Sequence, residues 1–188
     1  MTNTSPLLRM AQSTPTCLWN DSADPVELAQ SISWGAVGAT CNPVIALSAL
    51  KADPKTWADR IREYAAAHPT ATETEIGWAM VKRLSVEAAE LLEPAFEKYE
   101  GVNGRLSIQT DPIYYRDAAS LIEQATEFST LAPNMIVKIP VTSAGIEAFE
   151  EVTYRGVSIN ATVSFTVAQA VAVAEAVERG LRRREAEG

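Results

Sequence analysis

Cysteine and histidine are nearly missing from this sequence: Cys17, Cys41 and His68 are the full set in 188 residues. Three such residues scattered along the chain form no Cys/His cluster, which argues against a zinc site. Two thiols are also too few for the disulfide framework of a small secreted domain. The segment Met1 to Pro15 has only Leu7-Leu8 as an apolar pair, so it reads without a secretory apolar region. The cysteines are therefore expected to be reduced thiols in a cytoplasmic protein. No apolar run approaches the length of about 18 residues that a membrane helix needs, so no membrane partner is expected. Basic residues are in deficit, 16 Lys+Arg against 24 Asp+Glu, for a net charge of −8. A nucleic-acid binder would carry a basic face, so no nucleic-acid partner is expected. A small anionic substrate stays compatible, because the local field matters more than the total. The run Arg182-Arg183-Arg184 is too short for such a face and reads as helix-end decoration, where cations favour the dipole.

What is present is enough for a globular core: 47% of residues are hydrophobic and 21% charged. No internal repeat or long linker appears, so residues 1–188 are expected to form a single domain. Ser5-Pro6 signals a capped helix start. Cys17 to Asp21 reads as a strand running into the turn-prone Asn20-Asp21-Ser22-Ala23-Asp24, and residues 25–33 as a helix. Gly38 to Asn42 reads as a second strand, stopped by Pro43. Three helices follow. Asp53-Pro54 caps the first, and Thr72 with Glu75 makes a capping box for the next. Ser85 is expected to open the third, with Pro94 as its kink or end. Beyond Gly104 the pattern alternates: strands at Leu106 to Thr110, Met135 to Val141 and Val157 to Val163, with helices at Arg116 to Phe128 and Ala144 to Val152. Thr166 with Gln169 forms another capping box, opening the last helix. Strands and helices alternating at this spacing predict βαβ units, a parallel sheet and five β/α units.

Counting in twos along each strand collects polar residues on one face. Asp21 shares a face with Trp19, and Thr40 with Asn42. Ser107, Gln109 and Asp111 share another, and Asn160 shares one with Thr162. In a barrel such groups lie at the carboxyl ends of the strands and would meet at one mouth. Lys138 stands between the apolar runs Met135-Ile136-Val137 and Ile139-Pro140-Val141. Loss of hydration there favours the neutral amine, the nucleophile that a Schiff base needs. Snorkelling from a strand end is the other reading of the same lysine. Asp21 reads as a general acid/base or as a turn residue of Asn20-Asp21-Ser22-Ala23-Asp24. Asn42 before Pro43 reads first as a strand-ending turn. Thr162 is an ordinary strand residue by propensity. Asn160 is not, because asparagine is depleted in strands and needs partners when buried. His68, beside Pro69, reads as a solvated neighbour of a helix end.

Four stretches together resemble the transaldolase family of class I, Schiff-base-forming aldolases. They are Leu18 to Ser22, Gly38 to Pro43, Met135 to Pro140 and Val157 to Thr162. Their order and spacing match, as does Leu106 to Pro112, and the likeness runs through essentially the whole chain. The resemblance implies an α/β fold of the (β/α)8 TIM-barrel type. Lys138 would form an imine with the ketone of a sugar phosphate. Asp21 would exchange the hydroxyl proton as the C3–C4 bond breaks and forms. Asn42 and Asn160 would hold hydroxyls of the dihydroxyacetone unit, with Thr40 beside them as a further substrate contact. Thr162 would position a water for imine formation and hydrolysis. The imine nitrogen is the electron sink, so no metal and no cofactor are implied. Transfer would run between sugar phosphates of the pentose phosphate pathway, and an oligomer is compatible with the family.

Two departures are visible. Gln109 stands where the family usually has a glutamate that works with a water in proton transfer. An amide orients a water but does not accept its proton at neutral pH. This glutamine resembles the fructose-6-phosphate aldolase branch, which releases free dihydroxyacetone. The second departure is length. A full barrel takes about 250 residues, and roughly 200 at minimum. The family grips the substrate phosphate with Ser and Arg residues on three further strands, and no residue here matches them. The chain is thus expected to be the N-terminal, incomplete part of such a barrel. A catalytically silent fragment or binding scaffold is the alternative that this leaves.

Overall fold

The computed structural model describes residues 5–187. Five strands and eight α-helices follow one another as α1 (Pro6–Ser13), β1 (Leu18–Asn20), α2 (Pro25–Ser33), β2 (Ala36–Cys41), α3 (Pro43–Ala52), α4 (Pro54–Ala67), α5 (Glu73–Lys98), β3 (Arg105–Gln109), α6 (Ala118–Ser129), β4 (Met135–Pro140), α7 (Ser143–Tyr154), β5 (Ile159–Thr162) and α8 (Val167–Glu187). The strands follow one another in the order β1-β2-β3-β4-β5. The β1/β2 and β4/β5 pairs are parallel, as strands joined by helical crossovers must be. The expected α/β architecture with five β/α units is therefore present. The chain divides within β3 into two compact units, Met1–Leu106 and Ser107–Gly188.

In the first unit, α1 to α4 each start with proline at the first turn, where its missing N–H costs nothing. Ser5 precedes Pro6 as expected, but its side chain makes no cap hydrogen bond. The three helices before β3 differ from expectation. Asn42-Pro43 does more than stop a strand: Asn42 Oδ1 accepts the N–H groups of Val44 and Ile45, both at 2.9 Å, and opens α3. Ser85, in turn, opens nothing. Met80, Leu84, Ala88 and Leu92 form a fully buried stripe at four-residue spacing that runs straight past it. One 26-residue helix, α5, results, with Ser85 buried inside it. Pro94 also lies within α5, one turn from its end, where the loss of a single hydrogen bond is tolerated. Helix α5 packs on α2 and β2 around Leu28, Ala39 and Cys41. His68 is the C-cap of α4, its ring stacked on Tyr64 at 4.1 Å. Neither cysteine is in a disulfide; Cys17 is exposed and Cys41 buried.

In the second unit, β4 alternates cleanly. Met135, Val137 and Ile139 are buried, while Ile136, Lys138 and Pro140 are only half-buried. Helix α6 covers the buried side with Leu121, Ala125 and Phe128. Helices α7 and α8 pack closely, because Gly180 lets the chains approach. A Cβ there would lie 2.4 Å from the Glu150 carbonyl. The arginine run of α8 is not mere end decoration. Arg183 reaches Glu150 (3.3 Å) and Glu151 (3.0 Å) of α7 and lies over the Tyr154 ring. Arg184 donates to the Tyr154 carbonyl at 3.2 Å. Sequence gave no sign of this, since the carboxylates lie some thirty residues away on another helix.

These pairs make the α7–α8 contact sensitive to acid. Arg179, bonded to Glu150 at 2.7 Å, holds that carboxyl below its ordinary value, and Arg183 adds to this. Arg155, followed by Arg183, does the same for Glu151. A carboxyl with a depressed folded pKa contributes stability above its unfolded value and loses it as pH falls through the folded one. The melting temperature should therefore fall as pH drops below about 4.5, the ordinary glutamate value. An Arg183→Met variant should show a shallower acid limb. Added salt should shrink the difference, because these side chains are partly exposed. Thermal unfolding of both proteins between pH 6 and 3 checks this.

Candidate active site

The polar groups of the first unit sit where β1 and β2 end. Thr40 Oγ1 donates to Asp21 Oδ1 at 2.5 Å. One step back on the same face, the Trp19 indole covers Gly38. A Cβ on Gly38 would lie 2.4 Å from the ring, so only glycine admits the indole there. Trp19–Gly38 and Asp21–Thr40 are thus two successive cross-strand pairs, and the first fixes the approach of the second. Asp21 itself is exposed, just past the end of β1. Asn20, its neighbour, points elsewhere: it accepts from Ser31 of α2 and donates to the Ser22 carbonyl, both at 2.8 Å. Asn42 spends its amide oxygen on the α3 cap, which turns its two N–H donors outward. Thr40 spends its hydroxyl proton on Asp21 and keeps acceptor lone pairs for a ligand.

A half-open cavity of about 440 Å³ also belongs to this unit, lined by Cys17, Ala36, Val37, Tyr99 and Asn103 among others. It lies at the opposite, amino ends of β1 and β2. Its size suits a small molecule, but the groups expected to do chemistry are not in it.

In the second unit, Lys138 and Asn160 are register partners across the parallel β4/β5 pair, and Pro140 and Thr162 are partners one step on. Side chains of register partners share a face, so Lys138 and Asn160 stand side by side on adjacent strands about 4.8 Å apart. Asn160 Nδ2 donates to Ser107 Oγ at 3.0 Å. Ser107 is on β3, which is not a neighbour of β5 but lies on the far side of β4. Strands two apart in a flat sheet are roughly 9–10 Å apart, so this bond requires the face bearing Lys138 to be concave. Alternate strands touching across the one between them is the layering of a barrel interior. The partner that strand-borne Asn160 was expected to need is thus the fully buried Ser107. Sequence placed Ser107 on the right face but gave no reason to pair it with Asn160.

Gln109 is half-buried at the end of β3. The next residue, Thr110, bonds the Lys138 carbonyl through its N–H (3.0 Å) and hydroxyl (3.3 Å), which locks β3 to β4 beside the lysine. Asp111, on the same face by count, serves as the cap of the following turn, accepting from Ile113 N–H at 3.0 Å. Thr162 is half-buried at the end of β5, and its carbonyl accepts from Val141 N–H at 2.8 Å.

Residues 18–185 match the Transaldolase/Fructose-6-phosphate aldolase family. A transaldolase of Thiobacillus denitrificans is 35% identical over 158 residues, which make up 82% of this chain and 43% of that protein. A transaldolase of Kocuria rhizophila is 32% identical over 153 residues, 78% of this chain and 40% of the relative. A transaldolase of Mycobacterium tuberculosis is 34% identical over 151 residues, 78% and 39% respectively. The match therefore spans about two fifths of the length of these curated relatives.

Proposed function

The chain belongs to the transaldolase/fructose-6-phosphate aldolase family, and on that premise we propose that it carries the imine-forming part of a sugar-phosphate transaldolase. The observation that supports this best is the pairing of Lys138 with Asn160, itself held by Ser107. An amine on a concave strand face, beside a fixed amide, is suited to attack a ketone and to hold the hydroxyl next to it.

In this reading the neutral Lys138 amine adds to the ketone carbon of the donor sugar phosphate, and loss of water gives the iminium. The C3–C4 bond then breaks. Its electron pair moves toward the imine nitrogen, and the C4 hydroxyl proton goes to Asp21. The aldose phosphate leaves, and a dihydroxyacetone enamine stays on Lys138. Attack of the enamine on an acceptor aldehyde, with the proton returned by Asp21, reverses these steps, and water then frees the lysine. Thr40 orients the Asp21 carboxylate. Asn42 and Asn160 hold hydroxyls of the three-carbon unit, Asn42 through its N–H donors. Thr162 and Gln109 position water. The reaction belongs to the cytoplasm and to the pentose phosphate pathway in this reading.

Gln109 favours a second reading, simple aldol cleavage that releases dihydroxyacetone, because an amide is not a base. The two readings separate in one assay on the full polypeptide with fructose 6-phosphate. Transfer predicts dihydroxyacetone units appearing in product only when an acceptor aldose phosphate is present. Free dihydroxyacetone released at the same rate without acceptor would establish cleavage instead. No turnover either way would leave the scaffold reading.

A further inference from the structure

Gln169 uses its side-chain amide more fully than a helix cap requires. Its Oε1 accepts from Phe165 N–H (2.9 Å), Thr166 N–H (3.1 Å) and the Thr166 hydroxyl (3.3 Å). Those contacts, with Gln169 N–H on Thr166 Oγ1 at 3.2 Å, are the capping box of α8. Its Nε2 does something else. It donates to the Val141 carbonyl at 3.1 Å and to the Val163 carbonyl at 3.2 Å. Val141 follows the last residue of β4, and Val163 follows the last residue of β5. One amide group thus ties together the carboxyl ends of the two strands that carry Lys138, Asn160 and Thr162.

Val163 has a positive φ of 60°. A β-branched side chain is strained in the left-handed region, and such strain persists only where neighbours hold it. The Gln169 bond to its carbonyl is such a hold, directly after Thr162. We propose that Gln169 is a positioning residue: through Val141 and Val163 it fixes the ends of β4 and β5, and so the placement of Thr162 against Lys138. This rests on the imine reading above.

Gln169→Glu separates the two jobs. A carboxylate keeps the acceptor oxygens that cap α8 but has no N–H for the two carbonyls. The helix is retained while the clamp is lost. In the full polypeptide with fructose 6-phosphate, Q169E should lower kcat roughly 10- to 100-fold, the scale set by small misplacements. KM should change little, and circular dichroism should be unchanged. Adding Val163→Gly should recover part of the lost kcat, because glycine holds a positive φ without help. Wild-type kcat in Q169E overturns the proposal, as does a loss that V163G fails to rescue. If the unaltered protein yields no borohydride-trapped adduct at Lys138, the imine reading falls and the proposal falls with it. A normal adduct with wild-type kcat in Q169E defeats the proposal alone.

Discussion

Replacing Lys138 with arginine is expected to abolish sugar-phosphate turnover, by at least about three orders of magnitude, or roughly 4 kcal/mol of transition-state stabilisation. Arginine keeps the positive charge and nearly the length of the side chain, so a loss cannot be assigned to a missing ion pair. What it cannot supply is a free amine, because the guanidinium stays protonated at any working pH. Lys138 is half-buried on the face opposite Val137 and Ile139, so a longer head group there need not disturb the core. Circular dichroism and melting should thus match the unaltered protein while kcat collapses. Lys138→Met should give the same loss. If instead the arginine variant retained a tenth of the activity, Lys138 would be an electrostatic group and covalent catalysis would be excluded.

The largest structural effect is expected at Gly104, just before β3. Its φ is +78°, and its N–H donates to the Val37 carbonyl at 2.7 Å, which pins the backbone against β2. A Cβ there would fall 2.0 Å from the Phe96 nitrogen and 2.3 Å from its Cα, both main-chain atoms of α5. Gly104→Ala combines a left-handed penalty of about 1–2 kcal/mol with overpacking of about 1–3 kcal/mol. The expected loss is about 3 kcal/mol or more, a fall in Tm of roughly 6–12 °C for a chain of this size. Gly77, in α5, is the contrasting case, because nothing lies within 4 Å of a Cβ built there. Gly77→Ala should stabilise by about 0.5–1 kcal/mol through helix propensity. Denaturant unfolding of the two variants, moving in opposite directions, checks both.

Much of this was legible in the chain because the strands write their own alternation. The apolar residues around Lys138 set its face, and β4 follows that pattern residue by residue. Asn160 stood out because a strand asparagine needs a partner. The partner itself was hidden, since contact with Ser107 depends on the curvature of β3, β4 and β5 rather than on any local signal. The helices before β3 depart from the sequence expectation for a related reason. Asn42-Pro43 stops a strand and starts a helix with the same two residues, and Ser85 carries a start signal that the buried stripe of α5 overrides. The roles of Arg183 and Gln169 lay in contacts between elements, with carboxylates and carbonyls far away in sequence.

Every step of the proposed chemistry passes through an imine on Lys138. Its most direct test is to treat the full polypeptide with fructose 6-phosphate and borohydride, then locate the modified residue by peptide mass spectrometry. A reduced three-carbon adduct is expected on Lys138 alone, dependent on the sugar phosphate and missing in the arginine variant. An adduct on any other lysine, or none at Lys138, would contradict it.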